Sequence, residues 1–239
     1  MDKTINYCWF GGNKKPAIIE KCIKSWEKYC SDYKIVEWNE SNFDITCCKY
    51  VKEAYDNKKY AFVSDYARFY VLNKYGGVYL DTDVELLKPL DIFLTNNFVG
   101  FENANSVATG LIMACEKDNE LCKYMIEQYN KDRFILEDGT LNLKTVCVRV
   151  TDYFVKKGLV LEDRTQNING YIIYNSSYFN PKNNDASVVE LKENTVSIHH
   201  YAATWTTKNE RFRGKVYNVL CRLFGKNFAE KIRKILGRK

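Results

Sequence analysis

Two carboxylates, Asp81 and Asp83, stand one residue apart where an apolar segment, Val78-Tyr79-Leu80, runs out. Carboxylates that close repel each other unless a cation or donor intervenes, and a few hard oxygen ligands suit Mg2+ or Mn2+ bound jointly with a phosphorylated substrate. The crevice beyond strand C-termini is also where open α/β sheets bind ligands. An Asp-x-Asp triplet taken alone reads equally as a solvated turn between strands, so its context decides. Upstream, Ser64-Asp65-x-x-Arg68 puts a carboxylate and a guanidinium on one helix face, as a local salt bridge or as part of a site. Downstream, His199-His200-Tyr201-Ala202-Ala203-Thr204-Trp205 holds both histidines of the chain, the side chains whose charge changes near neutral pH and which ligate metals. Neighbours in a strand face opposite ways, so the sequence alone does not separate His199 from His200; His200 is the one preferred. Near the start, Trp9 precedes Phe10-Gly11-Gly12, a large aromatic at a strand end before a flexible turn, which core packing would also explain.

The elements that must position these residues follow from periodicity. Residues 5–10 form an apolar run closed by two glycines, and Ile19, Ile23 and Trp26 recur at helical spacing after Pro16. Residues 33–38 then read as a strand, giving a βαβ unit with a parallel pair. The sequence predicts helices over residues 48–55 and 60–75, the second stopped by Gly76-Gly77, and a buried strand over residues 78–80. Further strands are expected at residues 98–101, 111–114 and 196–199, with a helix at 119–129. Residues 132–194 are poorly periodic.

Composition narrows the classes. The chain has 239 residues, 46% of them hydrophobic and 28% charged, with three prolines, which fits one folded domain with appendages and excludes a disordered chain. No run of about 18 apolar residues occurs and no signal peptide is readable after Asp2-Lys3, so a cytoplasmic protein is expected. Nine cysteines without a C-x-x-C pair read as reduced, mostly buried thiols. The net charge of +6 is unevenly spread: from Lys208 to Lys239 eleven Lys or Arg face two Glu, so the body before it is mildly acidic.

In these residues the sequence resembles the sugar-binding-region glycosyltransferases of family 32, which include bacterial capsular and lipopolysaccharide sugar transferases. Trp9 with its glycines, Ser64-Asp65-x-x-Arg68, the run from Asn73 to Asp83 and the His-His-x-x-x-Thr-Trp segment carry the resemblance in order along the chain. It implies an α/β fold of GT-A type, a Rossmann-like mixed sheet flanked by helices, over residues 1–207. It further implies retaining transfer from a nucleotide sugar with Mn2+ or Mg2+. Trp9 would stack on the nucleobase, Asp65 would bind hydroxyls of the donor sugar, and Arg68 would position sugar or phosphate. Asp81 would touch ribose, sugar or a metal-bound water, and Asp83 would be the direct metal ligand. His199 or His200 would reach metal or diphosphate from the opposite side, and Thr204 and Trp205 would hold the leaving diphosphate. Phe10, Gly11, Ser64, Tyr79 and Thr82 complete the nucleotide-sugar set. Two departures are visible: Asp138-Gly139-Thr140 where many relatives carry Thr-Gly-Pro before a late helix, and Ala203-Thr204-Trp205 in place of Gly-Ser-Trp. No carboxylate presents itself as a nucleophile, so front-face attack guided by the departing phosphate is the expected course.

Residues 208–239 read as a basic helical tail, with Val216, Val219, Leu220, Leu223 and Phe224 on one face and Phe228, Ile232, Ile235 and Leu236 on another. Such helices suit the anionic inner face of a plasma membrane, or else pack on the body. The expected partners are a nucleotide-sugar donor, UDP-linked before GDP-linked, and a glycan or lipid-linked acceptor, without nucleic acid. Two competitors remain: a metal-dependent phosphoesterase or nucleotide hydrolase using the aspartates and a histidine, and a nucleic-acid-binding protein using the tail.

Overall fold

The computed structural model describes residues 1–181, 189–202 and 216. The predicted βαβ unit is present: β1 (Thr4–Cys8), α1 (Ala17–Tyr29) and β2 (Lys34–Trp38), with β1 and β2 parallel and paired Thr4 to Lys34 through Cys8 to Trp38. β1 ends at Cys8, two residues before the end of the predicted run, which leaves Trp9 and Phe10 beyond the strand. Next come α2 (Lys49–Asp56), α3 (Tyr60–Tyr75) and β3 (Gly77–Tyr79), with Gly76 as the α3 C-cap. Gly77 has to be glycine, since its φ is +93° and a Cβ there would lie 2.7 Å from the Thr4 carbonyl oxygen.

The main sheet has seven strands in the order β2-β1-β3-β6-β5-β8-β7. It adds β5 (Asn97–Asn103), β6 (Ser106–Cys115), β7 (Gln166–Ile168) and β8 (Tyr171–Tyr174). β1 is parallel to β3, whereas β6 is antiparallel to both β3 and β5, so the sheet is mixed. Alternation along β6 sends Met113 and Cys115 to one face and Ile112 and Ala114 to the other. On the first face pack α2, α3, α4 (Glu120–Lys131) and α5 (Val146–Lys156), through Phe69, Tyr129 and Phe154 among others. On the second face α1 contributes Trp26, which belongs to one core cluster with Phe93, Phe98 and Phe179.

Two consequences bear on the site. α3 is sunk in the core on nearly all sides, so Asp65 and Arg68 are buried together with Phe62, Val63, Tyr66, Ala67 and Phe69. A short strand that the sequence reading lacks, β4 (Val84–Leu86), pairs antiparallel with β9 (Ser197–His199), setting Val84 opposite His199. That pairing joins two stretches about a hundred residues apart. The poorly periodic region 132–194 holds α5 and three short elements, β7, β8 and α6 (Ser176–Phe179). All eight cysteines among the described residues are free, five of them buried.

Candidate active site

The carboxyl ends of β1 and β3 open into a cavity of about 630 Å3. Trp9, Phe10, Ser64, Asp65, Arg68, Tyr79, Asp81, Thr82, Asp83 and His199 all line it, so residues far apart in sequence meet in one cavity. Thr204 and Trp205 lie outside the described residues, as do residues 208–239 apart from Val216.

Arg68, 3% exposed, is the centre of the charged group. Its Nη2 donates to Asp65 Oδ1 at 2.9 Å and to Asp81 Oδ1 at 3.2 Å, its Nη1 donates to Thr109 Oγ1 at 3.1 Å, and the guanidinium lies 4.8 Å from the Tyr79 ring centroid. Burial disfavours its charge, but Asp81, Tyr79 and Asp65 outweigh that and raise its pKa. Burial pushes the Asp65 carboxyl up to about 6 against the pull of Arg68, and the neighbouring charge of Asp81 adds to the push. Tyr79 donates its hydroxyl proton to Asp81 Oδ1 at 3.1 Å. The other Asp81 oxygen presses on bare backbone: a Cβ at Gly110 would lie 2.0 Å from Oδ2, and the Asp81 N–H donates to the Gly110 carbonyl at 2.9 Å.

Asp83 is held differently. His199 Nε2 donates to Asp83 Oδ1 at 2.9 Å and the Ala202 N–H donates to Oδ2 at 2.7 Å. Burial raises the Asp83 carboxyl, but the His199 and Ala202 hydrogen bonds prevail and hold it below the usual carboxylate range. The preference for His200 is corrected here. β9 alternation turns His199 into the cavity, while His200 Nε2 donates to Glu85 Oε2 at 2.8 Å, outside the lining, where Lys21 also reaches Glu85. Among the described residues His199 Nδ1 is buried without a hydrogen-bond partner.

Trp9 is partly buried on the cavity wall, its Nε1 donating to the Asn13 carbonyl at 2.6 Å and its ring 5.7 Å from Lys15 Nζ. Phe10 lies behind it, edge-on to Phe43 at 5.7 Å. Gly11 is outside the lining, with its N–H on Glu40 Oε1 at 2.6 Å. The match of Asp138-Gly139-Thr140 to the late-helix motif is also corrected: Thr140 N–H and Oγ1 close a turn on Asp138, whereas the residue that caps the late helix is Thr145. Thr145, Val146 and Cys147 line the cavity. Sequence reading missed these three, along with Glu102, Gly110 and Thr109. Glu102 ends an apolar run, but nothing in the run itself marks its carboxylate as different from a surface one.

As to a cation, among the described residues no group of three His, Cys, Asp or Glu is arranged to hold one unaided. The donor chemistry of Asp81 and Asp83 nonetheless fits a hard divalent ion that takes its remaining ligands from phosphate and water. His199 presents Nε2 to Asp83, which leaves Nδ1 as the imidazole atom without a partner among the described residues.

Residues 16–102 match the family described as glycosyltransferase sugar-binding region containing DXD motif. No curated protein matches the chain. Among solved structures, a glycosyltransferase involved in glycosylation of the major capsid of PBCV-1 is 18% identical, covering 87% of this chain and 96% of that one at a TM-score of 0.50. PaToxG glycosyltransferase is 17% identical over 53% of this chain, with a TM-score of 0.41, and the chain spans 59% of its length. An active-site mutant of LgtC is 14% identical, covering 89% of this chain and 95% of that one, with a TM-score of 0.41. The mixed seven-stranded sheet flanked by helices is a GT-A type fold. Over residues 16–102, which include its Asp-x-Asp pair, the chain is similar to the DXD-containing glycosyltransferase region. That family generally uses a divalent metal.

Two outcomes test this geometry. Gly110→Ala drives a methyl group into Asp81 Oδ2 and against Arg68 Nη1, so turnover falls at least about 30-fold in the variant that still folds; unchanged turnover would show that the Asp81 position is not critical. The second concerns pH. The folded chain holds the Asp65 proton with a pKa of about 6 against 3.8 when unfolded, so it binds more protons in that window and stability falls as pH rises from about 4 to about 6. Denaturant unfolding of the wild type minus that of Asp65→Asn gives this slope, and a flat difference contradicts it.

Proposed function

We propose that the chain is a retaining, metal-dependent transferase that moves a sugar from a nucleotide sugar, UDP-linked by preference, to a glycan or lipid-linked acceptor in bacterial surface polysaccharide assembly. The observation that carries this is the convergence, in one cavity, of an aromatic ring at a strand end, a buried carboxylate–guanidinium pair and an Asp-x-Asp pair backed by a histidine. Each part suits one portion of a nucleotide sugar. The Trp9 ring offers a face for a nucleobase. Asp81 and Asp83 would hold Mn2+ or Mg2+ together with the diphosphate, and the cation when bound stabilises the charge of the leaving diphosphate without proton transfer. Asp65, ionised above about pH 6 and fixed by Arg68, is placed to accept hydrogen bonds from donor-sugar hydroxyls. Arg68 keeps Asp81 in place and supplies positive charge beside the anionic substrate. His199 locks one oxygen of Asp83 and so orients the carboxylate.

The transition state is oxocarbenium-like, as in glycoside hydrolysis, so a negative Asp65 near the sugar stabilises it. The +9 tail over residues 208–239 supports, by charge alone, work at an anionic inner membrane face. Nucleotide sugars screened with Mn2+ and read by release of nucleoside diphosphate test the reading. Asp83→Asn lowers that release at least about 100-fold, as for loss of a group that fixes a leaving-group cation, with the melting temperature retained. Near-wild-type turnover in the variant overturns the assignment, and release of inorganic phosphate with no effect of added sugars favours a hydrolase instead.

A further inference from the structure

Glu102 is a cavity-lining carboxylate to which none of the donor-side roles above falls. It sits near the end of β5, and β3 and β5 both run antiparallel to β6, so Glu102 and Asp81 emerge at the same edge of the sheet. Neighbours along that edge run β1, β3, β6, β5. With strands about 4.8 Å apart, Glu102 stands about 10 Å across from the strand that leads to Asp81, on the side away from Trp9. The edge therefore reads in order as an aromatic face, the paired aspartates and then Glu102. A nucleotide sugar laid along it places its base first and its diphosphate next, so a second substrate enters from the Glu102 end.

Residues from two other parts of the chain hold Glu102. The Tyr201 hydroxyl donates to Glu102 Oε1 at 2.9 Å, while Asn180 Nδ2 donates to the Tyr201 hydroxyl oxygen and to the Glu102 carbonyl, each at 2.9 Å. Asn180 is 4% exposed, so this brace is built into the body. Tyr201 holds a φ of +50°, an uncommon conformation for an aromatic residue, and its ring packs 4.1 Å from that of His199. Among the described residues Glu102 has no Lys or Arg ion partner, and its Oε2 accepts no hydrogen bond. A carboxylate with one oxygen braced and one open accepts hydrogen bonds from hydroxyl groups and disfavours phosphate beside it.

We propose that Glu102 determines specificity for the second substrate: its open oxygen binds hydroxyls of an acceptor hexose, and Tyr201 positions it for that contact. The proposal rests on the reading of the chain as a nucleotide-sugar transferase. The full chain is assayed with the donor that it turns over and with methyl glycosides of the common hexoses as acceptors. Glu102→Ala raises the acceptor KM about 30-fold, the scale of losing a hydrogen bond to a charged group, while the affinity for UDP with Mn2+ stays within about twofold. Tyr201→Phe raises the acceptor KM by a smaller factor, about 5-fold, because the carboxylate loses its brace but keeps its charge. An acceptor KM unchanged in Glu102→Ala overturns the proposal, and if that variant does not fold, an unchanged KM in Tyr201→Phe does so. Equal losses of UDP affinity and acceptor KM overturn it too, since Glu102 would then serve the donor or the fold. So does an active wild type that transfers to none of the glycosides. A wild type that turns over no nucleotide sugar fails earlier, and removes the transferase reading itself.

Discussion

A guanidinium buried beneath two carboxylates is the constraint around which the active end of this molecule is organised. Arg68 cannot be left in the core unpaired, because an isolated buried charge costs several kcal/mol. Its partners come from different elements: Asp65 from one turn earlier in α3, Asp81 from the end of β3, and Thr109 from β6. Satisfying that one side chain thus fixes α3 against two strands of the sheet. It also dictates detail further out. Asp81 can approach Arg68 only because Gly110 has no side chain, and burial, with the neighbouring charge of Asp81 added, leaves Asp65 with a raised pKa.

A second joint completes the site from the far end of the chain. The three-residue pairing of β4 with β9 brings His199 onto Asp83, and the backbone just beyond it returns an N–H from Ala202 to the same carboxylate. Asp81 and Asp83 are therefore braced by different means, one through buried charge and the other through an imidazole and an amide. Such independent bracing keeps two like charges close without requiring either to be neutralised.

Much of this was legible in the sequence, and what was not has physical reasons. Helical periodicity marked α1, which buries one apolar face, whereas α3, buried on nearly all sides, was marked by its length and by the glycine pair after Tyr75. The meeting of Asp65 and Arg68 followed from helical spacing alone. The choice between His199 and His200 did not, since it depends on the register of β9 against β4, and a three-residue strand leaves no pattern to read. Residues 132–194 hid a helix capped by Thr145 behind a turn, Asp138-Gly139-Thr140, that looks from sequence like a better boundary. Glu102 was invisible for another reason: its meaning comes from the order of strands in the sheet, a non-local property.

The central claim is that a nucleoside diphosphate lies along the carboxyl edge with its base on Trp9 and its diphosphate at the aspartate pair. Intrinsic fluorescence measured while UDP is titrated in the presence of Mn2+ tests it directly, with Trp9→Phe as the control for Trp26, Trp38 and Trp205. The account predicts a saturable change in the wild type that is lost in Trp9→Phe and requires the metal. An identical change in the control, or one indifferent to Mn2+, would contradict it.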